Sequence, residues 1–180
     1  LFAAVLISIV SFYGDYIRIS VKFRFTVQLV AAMLFLFPLL PSLSEHFALS
    51  YFGFSPFIFF LILALILLFV IGTANFYNFM DGINGIAGLS GVIAFGLLGA
   101  YTLYLTPANP YYAALPKLSI CIALACLGYL PFNMPRARVF MGDVGSILLG
   151  FVFAAMVVTL ARNYDEMICF AGLLFPFYAD

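Results

Sequence analysis

Charge is what this chain has least of. Seven basic and seven acidic residues make up 8% of its 180 positions and cancel to a formal net charge of zero. Without a basic surplus nothing suggests nucleic-acid binding, and no nucleic-acid partner is expected. Histidine occurs once, as His46, with no second histidine or cysteine nearby, and it reads as a surface residue. The three cysteines, Cys121, Cys126 and Cys169, sit inside apolar runs without a CxxC spacing. They read as small buried hydrophobes, not as a metal or redox site. Low-complexity tracts and any stretch with the composition of a soluble domain are missing too.

What fills the chain instead is hydrocarbon. Hydrophobic residues account for 67% of it and mean hydropathy is +1.23, far from the average of soluble domains. Several runs approach the roughly 20 apolar residues that cross a bilayer. The expected fold is all-α, a polytopic helical membrane protein with about seven spans, near 1–13 (partial), 25–41, 57–74, 86–106, 118–132, 145–161 and 167–179. Several of these are short and imply tilt or local thinning of the bilayer. The chain starts at Leu1 inside an apolar run with no basic leader, and stops at Asp180 as another run finishes. Both ends are therefore expected to be cut from a longer protein.

The connections alternate between two sides. Residues 14–24, 75–85, 133–144 and Asp180 fall on one; 42–56, 107–117 and 162–166 fall on the other. Arg18, Lys22, Arg24, Arg136 and Arg138 lie on the first side, against Lys117 and Arg162 on the second. The excess marks the first side as cytoplasmic. Asp15, Asp81, Asp143 and Asp180 lie there as well, with Glu45, Asp165 and Glu166 opposite. Acids and bases gathered at one face of a hydrophobic protein point to a polar site.

Three constellations make up that face. In the first, Asn75, Asn78, Asp81 and Asn84 recur every third residue, interleaved with Gly82, Gly85 and Gly88, after the apolar run 57–74. On a helix such spacing puts Asn75, Asn78 and Asp81 on one broad face. Amides can donate to phosphate, a carboxylate can hold Mg²⁺, and glycines allow close backbone approach. A polar helix cap is the bland alternative. In the second, Gly142-Asp143-Val144-Gly145-Ser146 opens a span and follows Arg136 and Arg138. Free N–H groups at a helix start suit anions, and Asp143 adds a hard oxygen; alternatively Asp143 or Ser146 is a plain N-cap. In the third, Asp15 leaves a span ahead of Arg18, Lys22 and Arg24. These cations bind either lipid head groups or substrate phosphates, with Asp15 as base or metal ligand.

At these three loops the chain resembles the polyprenyl-phosphate N-acetylhexosamine-1-phosphate transferases, bacterial glycosyltransferase family 4, which include phosphoacetylmuramoyl-pentapeptide transferase. The motifs are Asn75-x-x-Asn78-x-x-Asp81-Gly-Ile-Asn84-Gly and Val139-Phe-Met-Gly-Asp143-Val-Gly-Ser, and the likeness runs along essentially the whole chain. It implies a single transmembrane transferase domain over 1–180, truncated at both ends, in the bacterial inner membrane with a cytoplasmic active site. It implies a Mg²⁺-dependent (or Mn²⁺-dependent) attack of undecaprenyl or another polyprenyl phosphate on a UDP-N-acetylhexosamine, releasing UMP. Asp143 is then the metal ligand, and Asp15, Asp81 and Asp143 are catalytic. Asn75, Asn78, Asn84, Lys22, Arg136 and Arg138 line the substrates. Relatives suggest a homodimer. Asn-Phe-Met-Asp-Gly-Ile-Asn-Gly is closer to members that start O-antigen or exopolysaccharide units, as in lipopolysaccharide, than to the peptidoglycan enzyme.

The chain departs from the family pattern in three ways. Gly14 stands where the first acid of an Asp-Asp pair is expected, Asn84 where many relatives carry Asp, and the downstream His loop would lie beyond Asp180. Two rival functions remain at this level: a catalytically inactive binding relative, suggested by Gly14, and a membrane transporter with ion-binding half-helix ends. The clustering of the polar motifs at one face, not at mid-membrane, favours the transferase.

Overall fold

The computed structural model describes residues 2–17, 19–43, 56–105, 113–175 and 178. Arg18, Glu45, His46 and Asp180 lie outside them, as do most of the connections 42–56 and 107–117, so the readings made there have no structural counterpart. The described residues hold helices and no strand. They are α1 (Phe2–Tyr16), α2 (Val21–Leu36), α3 (Pro56–Met80), α4 (Ile86–Leu105), α5 (Leu115–Asn133), α6 (Gly142–Leu160) and α7 (Tyr164–Ala171). A 3-10 turn, Phe37–Leu39, and a short helix, Leu40–Leu43, prolong α2.

Five helices are long and apolar enough to cross a membrane: Val21–Leu39, Pro56–Met80, Ile86–Leu105, Leu115–Asn133 and Gly142–Leu160. Among the described residues, Phe2–Tyr16 is apolar but shorter and α7 has eight residues, so five helices, not the expected seven or so, have the length and composition to span. Helix α7 begins earlier than its apolar run suggests. The Asn163 side chain accepts from the Glu166 N–H at 2.8 Å, and Glu166 accepts from the Arg162 N–H at 2.9 Å, a reciprocal cap of the first turn.

The helices divide into two compact units, Leu1–Asn78 with Met141–Ala171, and Phe79–Phe140 with Gly172–Asp180. In the first, α1 packs on α2 and α6. Its core gathers Ile7, Ala32, Leu36, Val70, Ala74, Phe151 and Ala154. The rings of Phe35 and Phe151 meet edge to face with centroids 6.1 Å apart. Small residues set the closest approach, as in other membrane bundles. A Cβ on Gly150 would stand 2.7 Å from the Ala74 Cα and 2.8 Å from the Thr73 carbonyl oxygen. Both are backbone atoms, so α3 and α6 would have to separate. Gly150→Ala is therefore expected to destabilise the fold by about 2 kcal/mol, within the usual range for overpacking, read as a lowered midpoint of thermal unfolding in detergent.

In the second unit α4 and α5 form an antiparallel pair. Gly88 faces Tyr129 and Leu130, and Gly99 faces Ser119 and Ile120, so residue numbers rise along one helix as they fall along the other. Ala94, Phe95, Leu98 and Thr102 of α4 are buried along this pair. Thr102 returns its hydroxyl to the Leu98 carbonyl at 2.8 Å, which hides its polar atom within its own helix.

Candidate active site

Two polar clusters emerge, one in each unit. The first forms where four helix ends of one unit meet. Helix α1 runs on to Tyr16, so Asp15 lies in its last turn and not beyond the span. Helix α2 begins at Val21 because Ser20 caps it, accepting from the Phe23 N–H at 3.3 Å. Lys22 and Arg24 therefore sit in a first helical turn, not in the connection expected at 14–24. Two residues apart, they point roughly 200° from each other. Lys22 is exposed, whereas Arg24 forms an ion pair with Asp143.

Helix α3 continues past the apolar run to Met80, so Asn75 and Asn78 are helical. The Asn78 amide donates to Asp143 Oδ1 at 2.9 Å. Asn75 turns elsewhere: its amide donates to Gln28 Oε1 at 2.7 Å and to the Ile71 carbonyl at 2.8 Å. The shared face expected for Asn75, Asn78 and Asp81 is thus broken up. The two amides choose different partners, and Asp81 falls just beyond the helix end.

Asp143 lies in the first turn of α6, as the Gly-Asp-x-Gly-Ser pattern predicts. The helix start also receives an anion, though a protein one: the Asp143 N–H donates to Asp15 Oδ1 at 3.4 Å. A carboxylate here satisfies an N–H left unpaired at the helix start and the positive end of the dipole. Gly142 makes this approach possible. Its φ is +68°, and a Cβ would stand 3.0 Å from Asp15 Oδ2. Ser146 is not an N-cap; its hydroxyl donates to the Gly142 carbonyl at 2.7 Å.

The Asp143 and Arg24 side chains keep 20% and 31% of their surface exposed, so the cluster is open to a ligand. The donors fit a hard cation. Asp15 and Asp143 supply carboxylate oxygens, and no group of three or more His, Cys, Asp or Glu gathers among the described residues. Mg²⁺ commonly binds through one or two carboxylates and completes its shell with water and phosphate oxygens. Asp143, with Asp15 beside it, suits that mode.

The second cluster lies in the other unit, in the turn after α3. Asp81 is buried, with 5% of its surface exposed. The Tyr129 hydroxyl stands 3.4 Å from Asp81 Oδ1 and 3.1 Å from the Val139 carbonyl; its single proton serves one of them at a time. The fully buried Asn133 fastens the turn. Its Oδ1 accepts from the Gly85 N–H at 2.5 Å, while its amide donates to the Val139 carbonyl at 2.9 Å. Gly85 has φ +80°, a conformation that disfavours any side chain. Asn84 is exposed and donates to the Pro135 carbonyl at 3.2 Å. Arg136 and Arg138 are exposed on the same connection, with the Arg138 N–H closing on the Phe132 carbonyl at 2.8 Å.

A family model described as glycosyl transferase family 4 matches residues 1–161. The chain belongs to that family. Over 78 residues, 42% of the chain, it is 40% identical to the decaprenyl-phosphate N-acetylglucosaminephosphotransferase of Mycobacterium tuberculosis. It is 38% identical to the protein of the same name from Mycolicibacterium smegmatis over an equal length. Over 56 residues, 31% of the chain, it is 45% identical to the phospho-N-acetylmuramoyl-pentapeptide-transferase of Staphylococcus aureus. In each case the matched stretch spans 17% of the relative's own length.

Within this family-4 chain the sequence reading missed Gln28, Tyr129 and Asn133. A polar residue inside an apolar helix is costly without a partner, and that signal was available for Gln28 and Asn133. Tyr129 carried no such mark among eleven tyrosines.

Proposed function

We propose that the chain is the membrane-embedded part of a phosphoglycosyl transferase. It moves N-acetylhexosamine 1-phosphate from a UDP-sugar to a polyprenyl phosphate such as undecaprenyl phosphate. The observation that carries this reading is the Asp15–Arg24–Asn78–Asp143 cluster, an acid-rich and partly open site at the start of an apolar helix, in a chain of this family.

In the reaction, an oxygen of the lipid phosphate bonds to the β-phosphorus of the UDP-sugar. The bond from that phosphorus to the bridging oxygen breaks, and UMP leaves with the electron pair. Transfer of this kind depends chiefly on positioning and on neutralising phosphate charge. Mg²⁺, held by Asp143 with Asp15 beside it, supplies part of that neutralisation when bound. Asn78 fixes the Asp143 carboxylate by donating to Oδ1. Asp15, at the same helix start, is the acid available to orient or deprotonate the acceptor phosphate. Asp81, Asn84, Lys22, Arg136 and Arg138 keep their proposed substrate roles on the strength of the motif. For Asn75 the bond to Gln28 favours a positioning role over direct contact.

The relatives named for N-acetylglucosamine phosphotransfer make UDP-N-acetylglucosamine the first donor to test. The motif leaves a role in starting an O-antigen-type glycan in view, with the site at the cytoplasmic face. The test uses the full-length protein in membranes with polyprenyl phosphate, Mg²⁺ and a panel of UDP-N-acetylhexosamines. UMP release dependent on both lipid and protein is expected; no release with any donor overturns the reading.

A further inference from the structure

Arg24 is an unusual partner for Asp143. It lies in the first turn of α2, where the helix dipole disfavours a cation, so the ion pair with Asp143 is what holds it. Its Nε is buried and has no hydrogen-bond partner among the described residues. Gly14 makes room for it: a Cβ there would stand 3.1 Å from both Nε and Nη2. The guanidinium is therefore incompletely satisfied where it rests, with one strong contact and a donor left over. The cavity at its flank, bounded by Ser11, Val27, Gln28 and Ile147, has a volume of about 10 Å³. That is room for one water at most, so no phosphate can reach the spare donor from that side.

Both Asp143 oxygens are taken, Oδ1 by Asn78 and Oδ2 by Arg24. Asn78 is neutral and can share its oxygen with a cation. Arg24 is not neutral, and a divalent ion at Oδ2 would sit against the guanidinium at a separation where like charges repel strongly. We infer that Arg24 is a resident counter-cation of Asp143 which a divalent ion displaces, and that displacement releases the guanidinium as a donor for a phosphate oxygen. Two carboxylates and one guanidinium leave the cluster with an excess of negative charge that attracts the ion. Once the ion is bound and Arg24 released, the excess is positive and suits an anionic substrate. This inference rests on the metal role proposed for Asp143.

Mn²⁺ binding to the full-length protein in detergent, followed by electron paramagnetic resonance without nucleotide or lipid, separates the two ideas. Asp143→Asn is expected to weaken Mn²⁺ binding at least tenfold; if it does not, the metal role fails and the inference falls with it. Arg24→Gln is expected to tighten Mn²⁺ binding at least fivefold, and Arg24→Lys, which keeps the charge, to stay within about twofold of wild type. Equal or weaker binding by Arg24→Gln, with the Asp143→Asn effect intact, overturns the inference alone. Should Arg24→Gln fail to fold, wild-type protein decides the matter. Labelling of Arg24 by phenylglyoxal, read by peptide mass spectrometry, should speed up severalfold with saturating Mg²⁺. An unchanged or slower rate refutes displacement.

Discussion

Asp143→Asn in the full-length protein is expected to lower UMP release about a thousandfold, at the upper end of what removing one charge-stabilising group costs an enzyme. The substitution keeps the shape of the side chain and removes only its charge. The proposed metal ligand and the partner of Arg24 are lost together, while the backbone N–H that binds Asp15 remains. Arg24 keeps 31% of its side chain exposed, so losing its partner does not strand a fully buried charge. The melting midpoint in detergent should accordingly fall less than for Gly150→Ala, whose added Cβ meets backbone. A rate within tenfold of wild type, in protein that melts normally, removes Asp143 from the chemistry.

Asp81→Asn is expected to lower the same rate at least a hundredfold, within the range for a lost electrostatic or acid-base group. With 5% of its surface exposed, this carboxylate lies 3.4 Å from the Tyr129 hydroxyl, which also stands 3.1 Å from the Val139 carbonyl. Its charge is the feature that the substitution removes. Tyr129→Phe is the matched control. If the tyrosine merely supports the turn, its removal should change the rate less than tenfold, measured in the same UMP-release assay. An Asp81→Asn protein with near-normal turnover would make Asp81 a structural residue of the turn.

Much of this was legible in the chain. Apolar runs marked the spans because a bilayer tolerates little else, and the start of α6 followed from a Gly-Asp-x-Gly-Ser pattern at its edge. Within each unit, some of the residues that the loop alternation groups together are in contact. Asp15, Arg24, Asn78 and Asp143 do meet, and the turn at 81–85 does meet the connection after α5. Helix boundaries were harder. Apolar composition reports contact with lipid, whereas a helix continues as long as its backbone bonds can form. Helix α3 therefore carries Asn75 and Asn78 beyond the apolar run, and the helical ladder ends before Asp81.

The pairings were out of reach of sequence. Arg24 and Asp143 are 119 positions apart, and Gln28 and Asn75 are 47 apart. The order of residues says which groups are present at a membrane face, and the cost of leaving them unpaired says that they need partners. It does not say which helix ends converge. The sequence by itself determined an all-helical membrane protein of this family and the acids and amides proposed to carry its chemistry, because hydrophobic length and motif spacing are local properties. Only the tertiary structure decided that Asp15 caps α6, that Arg24 and not Lys22 faces Asp143, and that Asn75 is spent on Gln28. Those choices depend on the direction in which each helix face turns once the bundle has packed.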